Sequence, residues 1–183
     1  IGALAGVNAG TLNNINVKIK SSNINIAKAT IYLGGVCGVN NSGEIKNIYT
    51  SGKLDINNLF NNTDGTKALI GGLFGENNTE IDLEFKLFGG SKLQIFEDNY
   101  NSSITINVVG DKNNTQPIYI GGAIGYTNNR AAGILTNNKI NVTELNTSKR
   151  IIVGGVIGYA LSAIDYCFFS GSLLCKNSNI VGG

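Results

Sequence analysis

The chain has 183 residues, of which 42% are hydrophobic and 14% charged, and its formal net charge is +2. Its Lys and Arg residues are scattered and form no basic stripe, so nucleic-acid binding is not expected. The chain contains no histidine, which excludes Ser-His and Cys-His nucleophile systems and histidine-based metalloprotease motifs. No apolar run approaches the ~20 residues that span a bilayer, and any export signal or anchor is expected outside this segment.

A five-residue phrase, Gly-Gly-x-x-Gly, recurs along the chain. Full copies lie at residues 34–38, 71–75, 121–125 and 154–158, with a degenerate copy at 2–6 and the start of another at 182. Their first glycines are 32, 37, 50, 33 and 28 residues apart, a period typical of solenoids and other repeat arrays. Because one unit has too little apolar surface to be stable alone, we expect the units to stack and share one core.

Apolar and polar residues alternate between the glycine phrases, which predicts half-buried β-strands. The pattern is clear from Leu12 to Ile19 and from Ile104 to Val108, and it continues without a break from Glu80 to Leu87. We therefore predict an all-β chain that forms a β-solenoid of about five stacked coils with irregular loop insertions. Residues 1–183 are interpreted as one repeat segment, a slice of a longer protein, with units at about 1–33, 34–70, 71–120, 121–153 and 154–181.

Alignment of the units that begin at Gly34 and Gly154 predicts the shape of one coil. It starts with a short glycine-rich strand and an Asn or Ser turn. A strand that ends at Ser51-Gly52 or Ser170-Gly171 follows, and a further strand leads to the next phrase. Paired glycines suit a positive φ or a backbone approach too close for a Cβ. Asn pairs such as 40–41 and 77–78 are expected to close turns.

The unit from Gly34 resembles the GLUG motif. That motif has a Gly-Gly-x-hydrophobic-Gly-x-Asn start, followed by a hydrophobic residue, an Asn, an aromatic and a Gly. Residues 34–40 match the start, and the later places are matched by Ile45, Asn47, Tyr49 and Gly52. The unit from Gly154 matches less closely, with Tyr166, Phe168 and Gly171 near the later places. The units from Gly71 and Gly121 match in the glycine phrase alone.

The GLUG resemblance implies a β-helix-like spacer in a large secreted or surface-attached protein, such as a bacterial adhesin. It carries over no catalytic residue, because none belongs to the motif. The glycine phrases are not followed by Lys-Ser or Lys-Thr, as a phosphate-binding loop would require. No catalytic, cofactor-binding or metal-binding residue is predicted, and no cofactor is expected.

Acidic residues on one predicted strand provide the alternative of an enzyme. Glycosidases need two carboxyl groups about 5 to 10 Å apart. Asp82 and Glu84 would lie about 6.6 Å apart on one strand face. The favoured interpretation is a solvated face, because Glu80 and Lys86 share it and exposed acids are common.

Three cysteines and seven glycosylation sequons complete the set of candidate sites. Cys167 and Cys175 flank a turn and are interpreted as small core residues, with a disulfide as the alternative in an oxidising compartment. Cys37 is expected to be a buried free thiol. The sequons are expected in turns, where glycans could be attached, and they begin at Asn40, Asn61, Asn77, Asn101, Asn113, Asn141 and Asn146.

The sequence thus favours a non-enzymatic extracellular or cell-surface repeat module that serves as an adhesin stalk or adhesive surface. Its expected partners are neighbouring domains of the same long chain and a host-surface protein or glycan, with no direct membrane insertion by this segment. The first alternative is a filament subunit that assembles end to end through open strand edges. A carbohydrate-active β-helix enzyme is the second alternative.

Overall fold

The computed structural model describes residues 1–20, 22–27, 29–41, 44–60, 65–82, 85–87, 94–96, 100–111, 113–143, 151–176 and 180–182. These residues form β-strands, turns and bends, and they contain no helix. The prediction of an all-β chain is therefore confirmed. Pairing between strands is parallel everywhere in the described chain except in one pair of short strands.

The strands are numbered in chain order. The first eleven are β1 (Ala5–Asn8), β2 (Leu12–Ile19), β3 (Asn23–Ala27), β4 (Ile31–Gly34), β5 (Cys37–Asn40), β6 (Ile45–Phe60), β7 (Ala68–Gly71), β8 (Phe74–Asn77), β9 (Phe85–Leu87), β10 (Gln94–Phe96) and β11 (Tyr100–Gly110). The others are β12 (Ile118–Gly121), β13 (Ile124–Thr127), β14 (Ala131–Ala132), β15 (Ile134–Thr136), β16 (Lys139–Thr143), β17 (Ile151–Gly154), β18 (Ile157–Ala160), β19 (Ile164–Asp165), β20 (Phe168–Phe169), β21 (Ser172–Cys175) and β22 (Ile180–Gly182).

Three parallel sheets contain most of these strands. The pre-glycine sheet has the order β22-β17-β12-β7-β4, and the post-glycine sheet has the order β1-β5-β8-β13-β18. The long sheet runs β2-β6-β11-β15-β20, with β3, β16 and β21 continuing the rows beyond the shorter strands. In each sheet, strands from successive repeat units lie side by side in chain order.

The register of the sheets follows the glycine phrase. The first glycines of neighbouring phrases are direct partners, from Gly34 with Gly71 through Gly121 with Gly154 and on to Gly182. Cys37, Phe74, Ile124 and Ile157 pair in the same way in the post-glycine sheet. The irregular spacing of the phrases therefore leaves the register of these two sheets unchanged.

Each glycine phrase is a bend between two strands. The strand before it ends at the first glycine, the next two residues form the bend, and a new strand begins at the fourth residue. The prediction of one short glycine-rich strand is therefore wrong. The predicted break at Ser51-Gly52 is also absent, because β6 continues through Gly52 to Phe60. At Ser170-Gly171 the predicted break does occur, between β20 and β21.

Buried apolar side chains form two clusters between the sheets. One joins the pre-glycine sheet to the later part of the long sheet, and it includes Leu33, Ile70, Ile56 and Ile106. The other joins the post-glycine sheet to the earlier part of the long sheet, and it includes Phe74, Ile124 and Ile48. Alternation along β11, from buried Tyr100 to buried Gly110 with partly exposed residues between, shows how one strand face supplies this core.

The continuous strand predicted from Glu80 to Leu87 is not present. Ile81 makes an isolated parallel bridge with Ala131, and Asp82 lies outside any strand. Leu83 and Glu84 lie outside the described residues. Farther along, β9 pairs antiparallel with β10, so this stretch leaves the parallel pattern.

Candidate functional site

Tight packing explains the second glycine of each phrase. A Cβ placed on Gly35, Gly72 or Gly122 would lie 2.0 to 2.1 Å from the carbonyl oxygen of the second glycine in the next unit. At Gly72 it would also lie 2.1 Å from the Ser102 hydroxyl oxygen, across the interior. None of the glycines in the four phrases has a left-handed φ. Of the two expected reasons for the glycines, close approach of backbones is therefore the one that applies.

The backbone amides of the bends are already engaged. Gly35 donates its N–H to the Gly71 carbonyl at 3.2 Å, and Gly72 and Gly122 donate theirs to the equivalent region of the next unit at 3.1 Å. A phosphate-binding loop needs N–H groups that are free to point at the anion. The bends therefore continue the sheet hydrogen bonding and offer no such nest.

A buried ladder of polar side chains follows the post-glycine sheet. Asn8 donates through Nδ2 to Asn40 Oδ1, and Asn40 donates to Asn77 Oδ1, each at 2.8 Å. Asn77 Nδ2 lies 3.4 Å from the Thr127 hydroxyl oxygen. All four side chains are buried at the ends of their strands. Asn40 and Asn77 therefore bind neighbouring units through their amides, beyond the turn-closing role expected from the sequence.

Matching positions of several repeat units, near the start of the long sheet, share a left-handed backbone. The backbone is left-handed at Asn14 (φ 55°), Asn47 (φ 52°), Gly133 (φ 71°) and Tyr166 (φ 50°). Asn47 also donates to Asn14 Oδ1 at 3.0 Å. The Asn of the GLUG-like pattern, Asn47, thus occupies a place that glycine or asparagine adopts most easily.

Arg130 binds Asp82, one of the two acids that the sequence offered for catalysis. Its guanidinium binds Asp82 and, through Nε, Asp165 Oδ2 at 2.7 Å, and it lies 3.6 Å from Glu80 Oε1. Hydrogen bonds to Asp165 and Asp82 raise the pKa of Arg130. Asp82 is thus held in an ion pair, and the other candidate, Glu84, lies outside the described residues.

The cysteines are free thiols. Cys37 is buried, as the sequence predicted, and burial raises the pKa of its thiol. Cys167 packs against the cluster that contains Phe74, whereas Cys175 packs against the cluster that contains Ile56. The alternative of a Cys167–Cys175 disulfide is therefore not realised, and the two side chains serve as small core residues.

The sequons lie in several different environments. Asn40 and Asn77 are fully buried in the polar ladder, and Asn101 and Asn141 lie within strands. Asn141 donates its Nδ2, the atom that would carry a glycan, to Asn107 Oδ1 at 2.7 Å. Asn113 is exposed in a turn beside Asp111. Asn61 and Asn146 lie outside the described residues. The expectation that the sequons lie in turns is met at Asn113 and is wrong for the buried and strand positions.

Three tyrosines stack where the pre-glycine and post-glycine sheets meet. The ring centroids of Tyr119 and Tyr159 are 5.0 Å apart, and those of Tyr126 and Tyr159 are 5.8 Å apart with nearly parallel planes. Lys67 Nζ lies 4.6 Å from the centroid of Tyr126. Burial raises the pKa of Tyr126, and the nearby Glu76 carboxylate adds to the effect. These rings are half-buried against one another, so they stabilise the junction between sheets.

A groove of about 330 Å³ lies on the outer face of the long sheet. We call it the serine groove and define it by six side chains, Asn101, Ser103, Leu135, Asn137, Phe168 and Ser170. Phe168 is 70% exposed and Leu135 is 40% exposed. The sequence placed Phe168 near the aromatic place of the GLUG pattern but did not identify a groove, because the groove walls come from three units.

Parallel register brings the groove together. Asn101 pairs with Leu135, and Leu135 pairs with Phe168, so these three form one row across β11, β15 and β20. Ser103, Asn137 and Ser170 lie two residues farther along the same direction and form the adjacent row. The groove therefore combines a row that contains two apolar side chains, Leu135 and Phe168, with a row of hydroxyl and amide groups, and none of the six side chains is charged.

Comparisons of the chain with protein-family models, curated proteins and solved structures gave no match. Within the described ranges, no group of three or more His, Cys, Asp or Glu side chains is placed to hold a metal ion. The described residues also include no helix long and apolar enough to cross a membrane. What defines the protein at this level is an all-β architecture of parallel sheets with side-chain ladders between repeat units.

Proposed function

We propose that this chain is a β-solenoid segment of a GLUG-like repeat protein and that it acts as a non-enzymatic stalk or adhesive surface outside the cell. The observation that carries the proposal is the pairing of successive units in three parallel sheets. Such stacking places the same side-chain position of each unit in one row. A module of this kind extends by adding units and presents long, regular outer faces for contact.

The contents of the rows support a structural role. The row of Asn8, Asn40, Asn77 and Thr127 joins four units through buried hydrogen bonds. On the outer face, Asn141 donates to Asn107 at 2.7 Å and Asn107 donates to Asp55 at 2.6 Å. Burial alone would raise the pKa of Asp55, but the hydrogen bonds from Asn107 and Lys53 lower it below its usual value. These contacts use amide and carboxylate groups to hold units together.

The carbohydrate-active alternative has less support. A glycosidase needs one carboxyl group with a raised pKa and a second that acts as base or nucleophile. Asp82 is ion-paired with Arg130, and Arg130 also binds Asp165. Carboxylate oxygens that bind a guanidinium are engaged by that cation and are not presented to a substrate. The proposal therefore assigns these acids to the junction between units.

Labelling of intact source cells tests the proposed location. Antibodies raised against the 183-residue chain are applied before and after lysis, and the cells are also treated with an external protease. We expect labelling of intact cells that is lost after protease treatment. Labelling that appears only after lysis would contradict the proposal.

Adhesion is tested with beads that carry the purified chain, compared with beads that carry albumin. Retention of the coated beads on a cell or matrix surface supports an adhesive role. Retention no greater than that of albumin beads leaves the stalk role and removes the adhesive one. Light scattering on the same preparation separates a monomeric module from an end-to-end filament, which would appear as fibres.

A further inference from the structure

We propose that the serine groove binds a neutral glycan. The inference rests on the proposed function, since it names the ligand class of an adhesive outer face. Its starting point is the pairing of exposed apolar groups with uncharged polar ones in a single concave site. Ligand sites usually combine apolar walls with a few polar groups that fix orientation, and their volumes begin near 300 Å³.

The apolar row suits one face of a sugar ring. A pyranose presents a face of C–H groups, and an aromatic ring carries negative charge density on its face. Phe168 and Leu135 lie on neighbouring strands, about 4.8 Å apart by strand spacing. Both side chains are exposed within the groove. They therefore form a small platform on which a ring can pack.

The polar row suits the hydroxyl groups of the same ligand. Serine hydroxyls and asparagine amides each donate and accept hydrogen bonds, as sugar hydroxyls do. Among the described residues, no hydrogen bond occupies the side chains of Asn101, Ser103 or Asn137. Ser170 donates to the Thr136 carbonyl at 3.3 Å and keeps its acceptor lone pairs. Ser103, Asn137 and Ser170 are thus available along one side of the platform, and Asn101 lies at the end of the platform row.

The charge of the groove side chains distinguishes acidic ligands from neutral ones. An acidic polysaccharide or a phosphorylated peptide would be recognised by Lys or Arg in the site. None of the six groove side chains is basic, and the nearest outer row places Lys139 beside the groove without lining it. A peptide strand would add to the edge strand β20 through main-chain hydrogen bonds, whereas the groove side chains stand on the face of the sheet. A neutral glycan fits these features best.

Calorimetric titration of the 183-residue chain tests the proposal with three probes, cellohexaose, β-1,4-mannohexaose and hexagalacturonic acid. We expect at least one neutral hexasaccharide to bind and Phe168→Ser to weaken that binding by about tenfold, as loss of a central aromatic contact does. Asn137→Ala provides a second variant that leaves the platform intact, and it should also weaken binding. The matched control is Leu174→Ser, which removes another exposed apolar side chain of the long sheet, outside the groove.

Three results would overturn the proposal. They are no binding of either neutral probe at millimolar concentration, equal affinities of the Phe168→Ser and Leu174→Ser variants, or tighter binding of hexagalacturonic acid than of the neutral probes. Circular dichroism near 218 nm verifies that each variant keeps its β-structure. If no neutral glycan binds but intact cells are labelled, the glycan proposal is rejected and the proposed location stands. Binding of a neutral probe without surface labelling would reject the proposed location alone.

Discussion

The left-handed positions show how one residue can favour or oppose the repeat. Asn14, Asn47 and Gly133 belong to the residue types that adopt a positive φ at low cost, whereas Tyr166 does not. Tyr166 is also 61% exposed, so its ring gains little from burial. The same backbone turn is therefore easy in three places and strained in the fourth.

Replacing this tyrosine with asparagine tests the strain. We expect Tyr166→Asn to raise the free energy of unfolding by about 1 kcal/mol, because asparagine adopts the left-handed region more easily. Urea denaturation measures the change. The matched variant Asn47→Ala should lower stability, since it introduces strain and removes the bond to Asn14. A Tyr166→Asn variant that is no more stable than the parent would show that the tyrosine is not strained.

At the scale of elements, the glycine phrase is a bend through which the sheet hydrogen bonds continue. At Gly35, Gly72 and Gly122 the second glycine lies between the carbonyl of the next unit on one side and a side chain on the other, which belongs to Thr50, Ser102 and Asn138 in turn. At Gly155 an added Cβ would meet the ring of Phe169. The interior is therefore narrow at this point, and glycine is needed for space.

An alanine at the second glycine tests the narrow interior. We expect Gly72→Ala to lower the free energy of unfolding by about 3 kcal/mol, or to prevent folding, because its Cβ would overlap two oxygen atoms. Gly10→Ala is the matched control, since a Cβ there meets nothing within 4 Å. Thermal and chemical denaturation compare the two. Equal stability of both variants would mean that the bends have more room than the structure shows.

For the whole molecule, much of the architecture could be predicted from the sequence. Alternation between polar and apolar residues identified strands such as β2 and β11, and the glycine repeat identified equivalent positions in successive units. The bounds near the phrases were harder to predict, because the bend at Gly35-Val36 depends on hydrogen bonds to Gly71 and Leu73 in another unit. The secondary-structure propensities of nearby residues do not reveal hydrogen bonds to another unit.

The candidate sites were less predictable than the fold. Asn40 and Asn77 look like turn residues in sequence, and only register shows that their amides meet 37 residues apart. Arg130 lies 48 residues from Asp82, so its neutralising role required the bridge between Ile81 and Ala131. The serine groove likewise needs three strands from three units. Contacts between units therefore determine all three sites.

The central claim is that each unit adds one strand spacing to the long sheet, and distances between spin labels test it most directly. Lys18, Ser51, Ser103, Asn137 and Ser170 follow one another across this sheet. Nitroxide labels are placed at Lys18 and Ser170, or at Lys18 and Ser103, in a background without the native cysteines. Four spacings predict a Cα separation of about 19 Å for the first pair, and two predict about 10 Å for the second. Pulsed electron paramagnetic resonance should measure the longer distance. Dipolar broadening of the nitroxide spectrum should measure the shorter one. A broad distribution beyond about 30 Å for the first pair, or equal distances for both, would contradict parallel stacking of the units.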